Sequence, residues 1–547
     1  MSPDLRSKLD RVTNILFAGG VSNPVTYIEQ LSYLIYLKLL DEEETDRLRE
    51  RELRGEVARR PQLFPGSAER FRWTEWRHYS GDRLRNFVRD QVFPYLGSLV
   101  KEEPRIAEYF RDAVLEIVDP HVLQQVVAVI DTIEFARLGT DIKGDIFEYL
   151  LSYTQGQETL GQFRTPRQIR KMMVAMVDPD FGDSLHDPCC GTAGFLIDAI
   201  EHVLAKYSSE PVEVPIYGES WLERQGLALA GAKEKYPRLQ TYLKGPGERL
   251  PDWPTLERAI FGTDVSRQMM RIASMNLVLH GFPNARVKRA NPISEMSGLT
   301  EDDLRRRYKV ILSNPPFAGM VQKESIRNDL PTTSKKSELL FLALMMDSLA
   351  PGGRAAIVVP EGLLFGSSGA HVELRRKLLA EFEVLAVVSL PGGVFKPYAG
   401  VKTSVLVFRR PPEDTAPRLG RVWFHEISND GYDPDKVSGG GRVETPESSQ
   451  IPALLGAWAA FKSGGFTAPP GPESTATLDP HDPEPACWHA PLQRILDNNA
   501  NLAASAYKPQ RAARRSEEDP VELVEKLLAL EDEITGGLRK LKRLVNR

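Results

Sequence analysis

The chain of 547 residues contains only three cysteines, Cys189, Cys190 and Cys487. Two of them are adjacent, so we expect neither a disulfide scaffold nor a metal site, and a reducing cytoplasm is the predicted setting. No apolar run approaches the roughly 20 residues that a membrane-spanning helix needs. The first residues, MSPDLRSKLDRV, also lack the apolar core of a signal peptide. These absences argue against a secreted protein and against any membrane contact.

The sequence also lacks an excess of charge of either sign. Its 70 basic and 75 acidic residues give a formal net charge of -5, and 41% of its residues are hydrophobic. This balance argues against a histone-like electrostatic binder of nucleic acid, although it leaves room for a local basic groove. The length predicts roughly three or four domains.

The residue pattern divides the chain into four regions. Residues 1–155 carry apolar side chains at helical spacing and predict an N-terminal helical domain. Residues 156–425 alternate β-branched runs with helices, which predicts an α/β fold with a doubly wound, mostly parallel, seven-stranded sheet. Residues 426–512 are rich in Gly, Pro and Ser and predict an irregular extension. Residues 513–547 predict a helical tail.

Seven runs are the candidates for strands of that sheet. They read DSLHDPC, AIFGTDV, ARVKRAN, YKVILSN, RAAIVVP, VLAVVSLP and TSVLVFRR. Several are almost continuously apolar, as strands covered on both faces should be. Such sheets bind ligands outside the carboxyl ends of their strands, and most of the motifs below lie at such an end.

The stretch HDPCCGTAGFL predicts a strand that ends at Asp187, a tight turn that uses Gly191 and Gly194, and an apolar helix. Small residues let a ligand approach the backbone closely, and the helix N-terminus offers free N–H groups. The spacing matches neither the dinucleotide-binding motif nor a P-loop. An ordinary strand-to-helix turn is the alternative interpretation.

An acid that could hold a ribose follows the second strand. Asp264 lies just past FGT and before a helix, where an acid can accept hydrogen bonds from two ribose hydroxyls. Glu219, in the long insertion between the glycine turn and this strand, is a rival, and we prefer Asp264 because a long regular helix follows it. A plain helix cap is the alternative for Asp264. Asn291, in KRANPIS, could bond an adenine, although taken by itself it favours the interpretation of a turn residue before proline.

The stretch VILSNPPFAG ends a strand abruptly, because Pro315 and Pro316 cannot donate ladder hydrogen bonds. The side-chain oxygen of Asn314 and the carbonyl of Pro315 can both accept from one amine. Phe317 can offer a face on which a base stacks, a contact worth ~1–3 kcal/mol. The arrangement suits an exocyclic amino group that must be oriented before it attacks. A strand terminator would explain the prolines but not the Asn and Phe together.

The stretch GQFRTPRQI comes just before the sheet. It predicts a helix with Thr165 as its cap and Pro166 at its first position. The free N–H groups of that helix could meet a carboxylate. Plain helix capping is the alternative interpretation.

Together DPCCGTAGFL, SNPPF, GQFRTP and MNLVLHG, at their places along the chain, resemble the modification subunit of type I restriction-modification systems. That family is an N6-adenine DNA methyltransferase that uses S-adenosyl-L-methionine, and the likeness extends over most of the chain. It implies a methyltransferase domain at 156–425. The residues that it implies for the cofactor are Gln162, Phe163, Arg164, Thr165, Pro166, Arg167, Asp187, Gly191, Thr192, Ala193, Gly194, Asp264 and Asn291. The residues that it implies for catalysis are Asn314, Pro315, Pro316 and Phe317, which would orient and stack a flipped-out adenine.

The resemblance also implies partners. They are double-stranded DNA and a specificity subunit, in a complex of two modification subunits and one specificity subunit, to which a restriction subunit can be added. The tail helix from Pro520 would dock on the specificity subunit, and the N-terminal helices would help to clamp DNA. Arg164 and Asn291 depart from the family pattern, which usually has an aromatic residue and an Asp there. The alternatives are an amino-group methyltransferase acting on protein glutamine or RNA, and a non-catalytic scaffold.

Overall fold

The structure is a computed structural model of the chain. It describes residues 2–54, 62–138, 140–153, 165–216, 222, 225–237, 239–245, 253–317, 319–332, 334–396, 400–438, 441–479, 482–511 and 520–545. Gln162, Phe163 and Arg164, predicted to contact the cofactor, lie outside the described residues, as does the rival acid Glu219. Within the described ranges, no helix has the length and apolar character needed to cross a membrane.

The N-terminal region folds into packed helices. They are α1 (Pro3–Ala18), α2 (Pro24–Arg54), α3 (Trp73–Trp76), α4 (Gly81–Phe87), α5 (Phe93–Ser98), α6 (Pro104–Phe110), α7 (Pro120–Asp131) and α8 (Thr140–Ser152). The helical stripe of α2 explains the packing, because Ile28, Leu31 and Leu34 are all buried in the core that these helices share. The helical domain predicted for this region is therefore confirmed, and its boundary at residue 155 stays a prediction.

One large mixed sheet organises the rest of the chain. Its strands are β1 (Leu185–Asp187), β4 (Ile260–Asp264), β5 (Arg286–Arg289), β6 (Tyr308–Ser313), β7 (Leu349–Pro360), β8 (Glu383–Ser389), β9 (Thr403–Arg409), β10 (Arg421–Glu426) and β14 (Cys487–Pro491). They lie in the order β14-β10-β8-β9-β7-β6-β1-β4-β5. Neighbours pair in parallel, except that β9 runs antiparallel to β7 and β8, and β14 runs antiparallel to β10.

The strand order creates a switch point. From β1 the chain builds β4 and β5 on one side, and it then returns to build β6 and β7 on the other side of β1. The carboxyl ends of β1 and β6 therefore flank a crevice of the kind in which doubly wound sheets bind ligands.

All seven predicted strands lie in this sheet, which has β10 and β14 in addition. The prediction of an irregular segment at 426–512 is therefore wrong in part. It contains β14, whose Trp488 is fully buried, and a helix, Ile451–Ser463, that packs on the helix before β1. Trp458 of that helix donates its indole N–H to the carbonyl of Met176 at 3.0 Å. Short apolar runs between prolines thus join the core although the composition around them is typical of a linker.

Helices cover both faces of the sheet. The helices of this part of the chain are α9 (Arg167–Val177), α10 (Gly194–Tyr207), α11 (Leu229–Lys235), α12 (Trp253–Arg258), α13 (Arg267–Leu279), α14 (Glu301–Arg305), α15 (Ser337–Ser348), α16 (Glu361–Phe365), α17 (Gly369–Glu381), α18 (Ile451–Ser463) and α19 (Leu492–Asp497). Alternate residues of β7 show the two layers, since Val358 packs in the core with α9 and α10, and Ile357 in the core with α15 and α17. Covered faces explain why the strands are almost continuously apolar.

Smaller strands lie outside the main sheet. They are β2 (Val212–Pro215), β3 (Thr241–Lys244), β11 (Tyr432–Ser438), β12 (Gly441–Glu444), β13 (Thr477–Leu478) and β15 (Gln510–Arg511). They form three two-stranded sheets, in which β2 pairs with β3, β11 with β12, and β13 with β15.

Helix α13 joins the N-terminal helices to the sheet. Its Met269, Ile272 and Met275 are buried in the core of the helical domain. The buried carboxylate of Glu29 in α2 accepts hydrogen bonds from Arg271 at 2.7 Å and from Gln268 at 2.9 Å. The two regions therefore share both apolar and ionic contacts.

The predicted helical tail is confirmed as α20 (Pro520–Val545). Its apolar stripe is exposed, unlike those of the other long helices. Leu527, Leu530, Ile534, Leu538 and Leu541 are each 53–63% exposed. A row of large apolar side chains left in water is unusual for a folded protein.

Candidate active site at the switch point

Three motifs that lie far apart in the sequence meet at one edge of the sheet. Asp187 ends β1, Asp264 ends β4 and Asn314 follows β6. The strands β4, β1 and β6 are adjacent and parallel, so all three carboxyl ends point the same way. The structure therefore brings together the glycine turn, the predicted ribose acid and the Asn-Pro-Pro-Phe motif.

Asp187 links the glycine turn to the Asn-Pro-Pro-Phe motif. One of its carboxylate oxygens accepts hydrogen bonds from the hydroxyl of Ser313 at 2.7 Å and from the backbone N–H of Cys189 at 3.0 Å. The residue is 1% exposed, and this burial raises the pKa of Asp187 to about 7, with a further contribution from Asp264. Sequence reasoning missed Ser313, although its position directly before Asn314 could have pointed to it.

Asp264 is tied into the same turn. Its carboxylate accepts hydrogen bonds from the backbone N–H of Gly191 at 3.1 Å and of Ser266 at 2.8 Å. Burial raises the pKa of Asp264 above its ordinary value. The cap of α13 is Ser266, whose side chain accepts from Met269, so Asp264 is not the ordinary helix cap of the alternative interpretation.

The glycine turn is open on one side. Gly191 has φ +51°, and a Cβ placed on it would meet no atom within 4 Å. Ala193 has the left-handed φ of +66°, which an L-residue adopts only at an energetic cost. It precedes α10, whose first N–H groups receive no side-chain cap from the described residues. Thr192 is fixed by its carbonyl, which accepts from Asn276 at 2.8 Å.

Asn314 has one satisfied and one unsatisfied end. Its Nδ2 donates to the hydroxyl of Thr165 at 2.9 Å, while its Oδ1 is buried and has no hydrogen-bond partner among the described residues. Buried acceptors nearly always have a hydrogen-bond partner, so the Oδ1 of Asn314 is available to a donor group of a ligand. Pro315 is buried beside it and Pro316 is exposed.

Phe317 is more buried than expected for a ring that offers an open face to a base. It is 7% exposed and meets Phe395 edge-on, with ring centroids 5.4 Å apart. Phe395 follows β8 in the chain, so a second strand end contributes to this side of the site.

The start of α9 differs from its prediction. The helix begins at Arg167, with Pro166 rather than Thr165 in the cap position. The hydroxyl of Thr165 bonds Asn314 instead, and the carbonyl of Pro166 accepts from the N–H groups of Ile169 and Arg170. Arg167 stacks on Tyr242 of β3, with its guanidinium carbon 5.1 Å from the ring centroid, and donates to the Tyr242 hydroxyl.

Asn291 lies two residues beyond the end of β5, at the same edge of the sheet. Its N–H donates to the carbonyl of Ser297 at 2.9 Å, and its carbonyl accepts from Ser294 at 3.0 Å. Its side chain makes no hydrogen bond with the described residues. The backbone contacts are those of a turn residue, and the free amide keeps its predicted role open. No cluster of His, Cys, Asp and Glu among the described residues could hold a metal ion.

Comparison with known proteins agrees with this geometry. Residues 138–230 and 250–516 match the N-6 DNA Methylase family, and residues 5–130 match the HsdM N-terminal domain. The type I restriction enzyme EcoEI methylase subunit of Escherichia coli is 28% identical over 454 residues, which cover 80% of each chain. The EcoKI methylase subunit of Escherichia coli K12 is 26% identical, covering 78% of this chain and 71% of that one.

Solved structures share the whole fold. A chain from a structure of the assembly and conformational transition of a type I restriction-modification system has a TM-score of 0.68 and 26% identity, covering 100% of this chain and 98% of its own. The type I methyltransferase subunit of Streptococcus thermophilus has a TM-score of 0.61 and 18% identity, covering 92% of this chain and 99% of its own. The chain therefore belongs to the N-6 DNA methylase family, among the modification subunits of type I restriction-modification systems.

Proposed function

We propose that this chain transfers a methyl group from S-adenosyl-L-methionine to N6 of an adenine that has left the DNA duplex. The observation that carries the proposal is the buried, unpartnered Oδ1 of Asn314, at the carboxyl end of β6 and beside the switch point. A base must leave the stack to reach such an oxygen.

The residues at the glycine turn fit the cofactor. The open side of Gly191 and the uncapped N-terminus of α10 offer backbone N–H groups that suit a carboxylate. The Asp264 carboxylate suits ribose hydroxyls, since each of its oxygens has a lone pair beyond the backbone contacts to Gly191 and Ser266. When bound, the cofactor supplies an electrophilic methyl group. The proposed binding set also contains Thr165, Pro166, Arg167, Asp187, Thr192, Ala193, Gly194 and Asn291.

The Asn-Pro-Pro-Phe motif would hold the adenine. Asn314 Oδ1 and the carbonyl of Pro315 would each accept one N–H of the N6 amine, which turns its lone pair towards the glycine turn. Pro316 keeps the corner rigid because its ring fixes φ. Phe317, held by Phe395, would contact the face of the base.

The partners proposed for the chain are duplex DNA, a specificity subunit that reads the sequence, and a second modification subunit in the same complex. The exposed apolar stripe of α20 supports a helical docking surface for the specificity subunit. A restriction subunit is proposed as a further component of the system.

A basic cleft supports a DNA contact outside the target base. The cleft has a volume of about 640 Å³ and lies between α6, α13 and β5. Three arginines in its wall form no ion pair with a carboxylate of the described residues: Arg111, Arg286 and Arg289. Unpaired arginines in a groove attract phosphates, and β5 ends at the same edge of the sheet as the proposed active site.

The direct test combines the chain with its specificity subunit, duplex DNA and a cofactor carrying a labelled methyl group. We expect the label in N6-methyladenine after the DNA is digested to nucleosides. Label found only in protein or RNA would refute the DNA substrate, and a chain that binds no cofactor would refute the enzyme.

A single substitution tests the amine-orienting group. We expect Asn314→Ala to abolish transfer while cofactor binding, followed by calorimetry, survives. Gln493→Ala, on the exposed face of α19, is the matched control and should transfer normally. Near-normal transfer by Asn314→Ala would show that another group orients the base.

A further inference from the structure

Thr165 is the one described residue bonded to the side chain of Asn314. The Asn314 Nδ2 donates to the Thr165 Oγ1 at 2.9 Å, and Thr165 is 6% exposed. The two ends of an asparagine amide differ chemically, since the oxygen only accepts hydrogen bonds and the nitrogen only donates them. A turn of the amide by 180° would present a donor to the adenine amine, which is itself a donor.

We infer that Thr165 is a positioning residue, whose hydroxyl holds the Asn314 side chain at its Nδ2 end and so keeps the opposite end towards the substrate. By accepting from Nδ2, the Thr165 hydroxyl leaves the buried Oδ1 as the atom without a partner. This inference rests on the proposed function, and it assigns to the Thr165 side chain a role towards the base rather than towards the cofactor.

The backbone of Thr165 is itself fixed. Its carbonyl accepts from Arg170 of α9 at 3.1 Å, and Arg170 is paired with Asp198 of α10 at 2.6 Å. Both charged side chains are almost fully buried, so the pair is well placed to hold its geometry. A chain of hydrogen bonds therefore runs from α10 to α9, then to Thr165 and finally to Asn314.

The same link explains a glycine of the turn. A Cβ on Gly194, the first residue of α10, would lie 3.0 Å from the guanidinium of Arg170. The close approach of Arg170 therefore ties the start of α10, where the cofactor is proposed to bind, to Thr165 and through it to Asn314. A shift of α9 or α10 would therefore displace the Oδ1 of Asn314, the atom proposed to orient the amine.

The test compares Thr165→Val, which keeps the shape and removes the hydroxyl, with Thr165→Ser, which keeps the hydroxyl. Single-turnover transfer is measured with cofactor and DNA both saturating. We expect Thr165→Val to slow transfer about 10- to 100-fold, as the loss of one buried polar contact does, and Thr165→Ser to restore most of the rate. Cofactor affinity should stay within about twofold of the wild type, because the Thr165 hydroxyl contacts the Asn314 side chain.

A second experiment, in a variant of Asn314, distinguishes a positioning role of Thr165 from a purely structural one. In Asn314→Asp the Thr165 hydroxyl can only donate, to a carboxylate oxygen, so the contact becomes charge-assisted. We expect the penalty of Thr165→Val to differ by more than about threefold between the two Asn314 backgrounds, because a non-additive pair reveals coupling. Thr13→Val, a buried threonine of α1 at 4% exposure, controls for the general effect of the substitution.

The outcomes are distinct. A wild-type chain that transfers no methyl group to DNA refutes the proposed function and leaves Thr165 without a role in it. Wild-type transfer with an equally fast Thr165→Val refutes the positioning role alone. Loss of cofactor affinity at an unchanged saturated rate, or an equal penalty in both Asn314 backgrounds, refutes it as well.

Discussion

The carboxyl group of Asp187 should make the protein less stable as the pH rises from about 4 to 7. Its pKa is about 7 in the folded chain, against an ordinary value of 3.8. Between these values the folded state holds the proton and the unfolded state does not. Stability that is present below pH 3.8 is therefore lost as the pH rises through the folded-state pKa. The perturbation we propose is Asp187→Asn, which removes the titration and keeps the shape.

The size of the effect follows from the two pKa values. The difference between 3.8 and about 7, at about 1.4 kcal/mol for each pH unit, corresponds to about 4 kcal/mol over the whole range. Linkage places about 2–3 kcal/mol of this between pH 5 and 8. The asparagine Oδ1 can still accept from Ser313 and Cys189, but its buried NH2 group adds a pH-independent cost of about 1–3 kcal/mol.

The assay is urea unfolding at pH 5, 6, 7 and 8, followed by tryptophan fluorescence, for the wild type and Asp187→Asn without ligands. We expect the variant to gain about 2–3 kcal/mol on the wild type between pH 5 and 8, whatever the constant offset between them. Asp302→Asn, an exposed acid at the start of α14, controls for the loss of one acidic residue and should follow the wild type.

Parallel pH profiles for the wild type and Asp187→Asn would refute the reasoning. They would mean that the hydrogen bonds from Ser313 and Cys189 compensate the burial fully, so that the carboxylate is as stable inside the fold as in water. A difference of the opposite sign would mean that the folded state favours the charged form.

Three further predictions concern the domain contact, the base and the cleft. Glu29→Gln leaves the buried Arg271 without its carboxylate, and we expect a loss of about 3 kcal/mol in urea unfolding. Phe317→Ala removes a ring from the base side, and we expect a loss of about 5- to 150-fold in kcat/KM for DNA, the equivalent of ~1–3 kcal/mol of stacking. The double substitution Arg286→Gln and Arg289→Gln should weaken DNA binding, measured by fluorescence anisotropy. It should also reduce the slope of log affinity against log salt concentration by the equivalent of about one to two phosphate contacts.

Each of these has its control. Glu301→Gln breaks an exposed pair in α14 and should leave unfolding almost unchanged. Phe317→Tyr keeps the ring and should keep most activity, so equal losses for Ala and Tyr would contradict stacking. Arg376→Gln removes an exposed arginine on α17, which packs against β8 far along the sheet from β5. If Arg376→Gln lost as much DNA affinity as the double substitution, the arginines of the cleft would contribute no more to DNA binding than an arginine elsewhere.

The main sheet was predictable where a strand was long and apolar. The run that became β7 is covered on both faces, so its own residues define it. The strands β10 and β14 were missed because β10 directly follows a proline-rich stretch and β14 lies within one, and such a composition indicates a linker. Their place in the sheet depends on pairing with each other, with Val422 opposite Ala490, which no local pattern encodes.

The candidate site was predictable in its parts and not in its connections. Each motif marks a local break from strand to turn, so Asp187, Asp264 and Asn314 could be placed at strand ends. The bond between Ser313 and Asp187 spans 126 positions, and that between Asn314 and Thr165 spans 149. The expected helix cap at Thr165 was wrong because local reasoning gave its hydroxyl to the nearest backbone.

The sequence by itself determined the class of fold, the place of each motif and the family, because apolar periodicity and turn residues are properties of short stretches. Only the tertiary structure decided which carboxylates are buried, which amide end is left without a partner and which helix stripe stays in water. Burial and hydrogen-bond satisfaction are properties of a site that many segments build together, so they exist only once the chain has closed on itself.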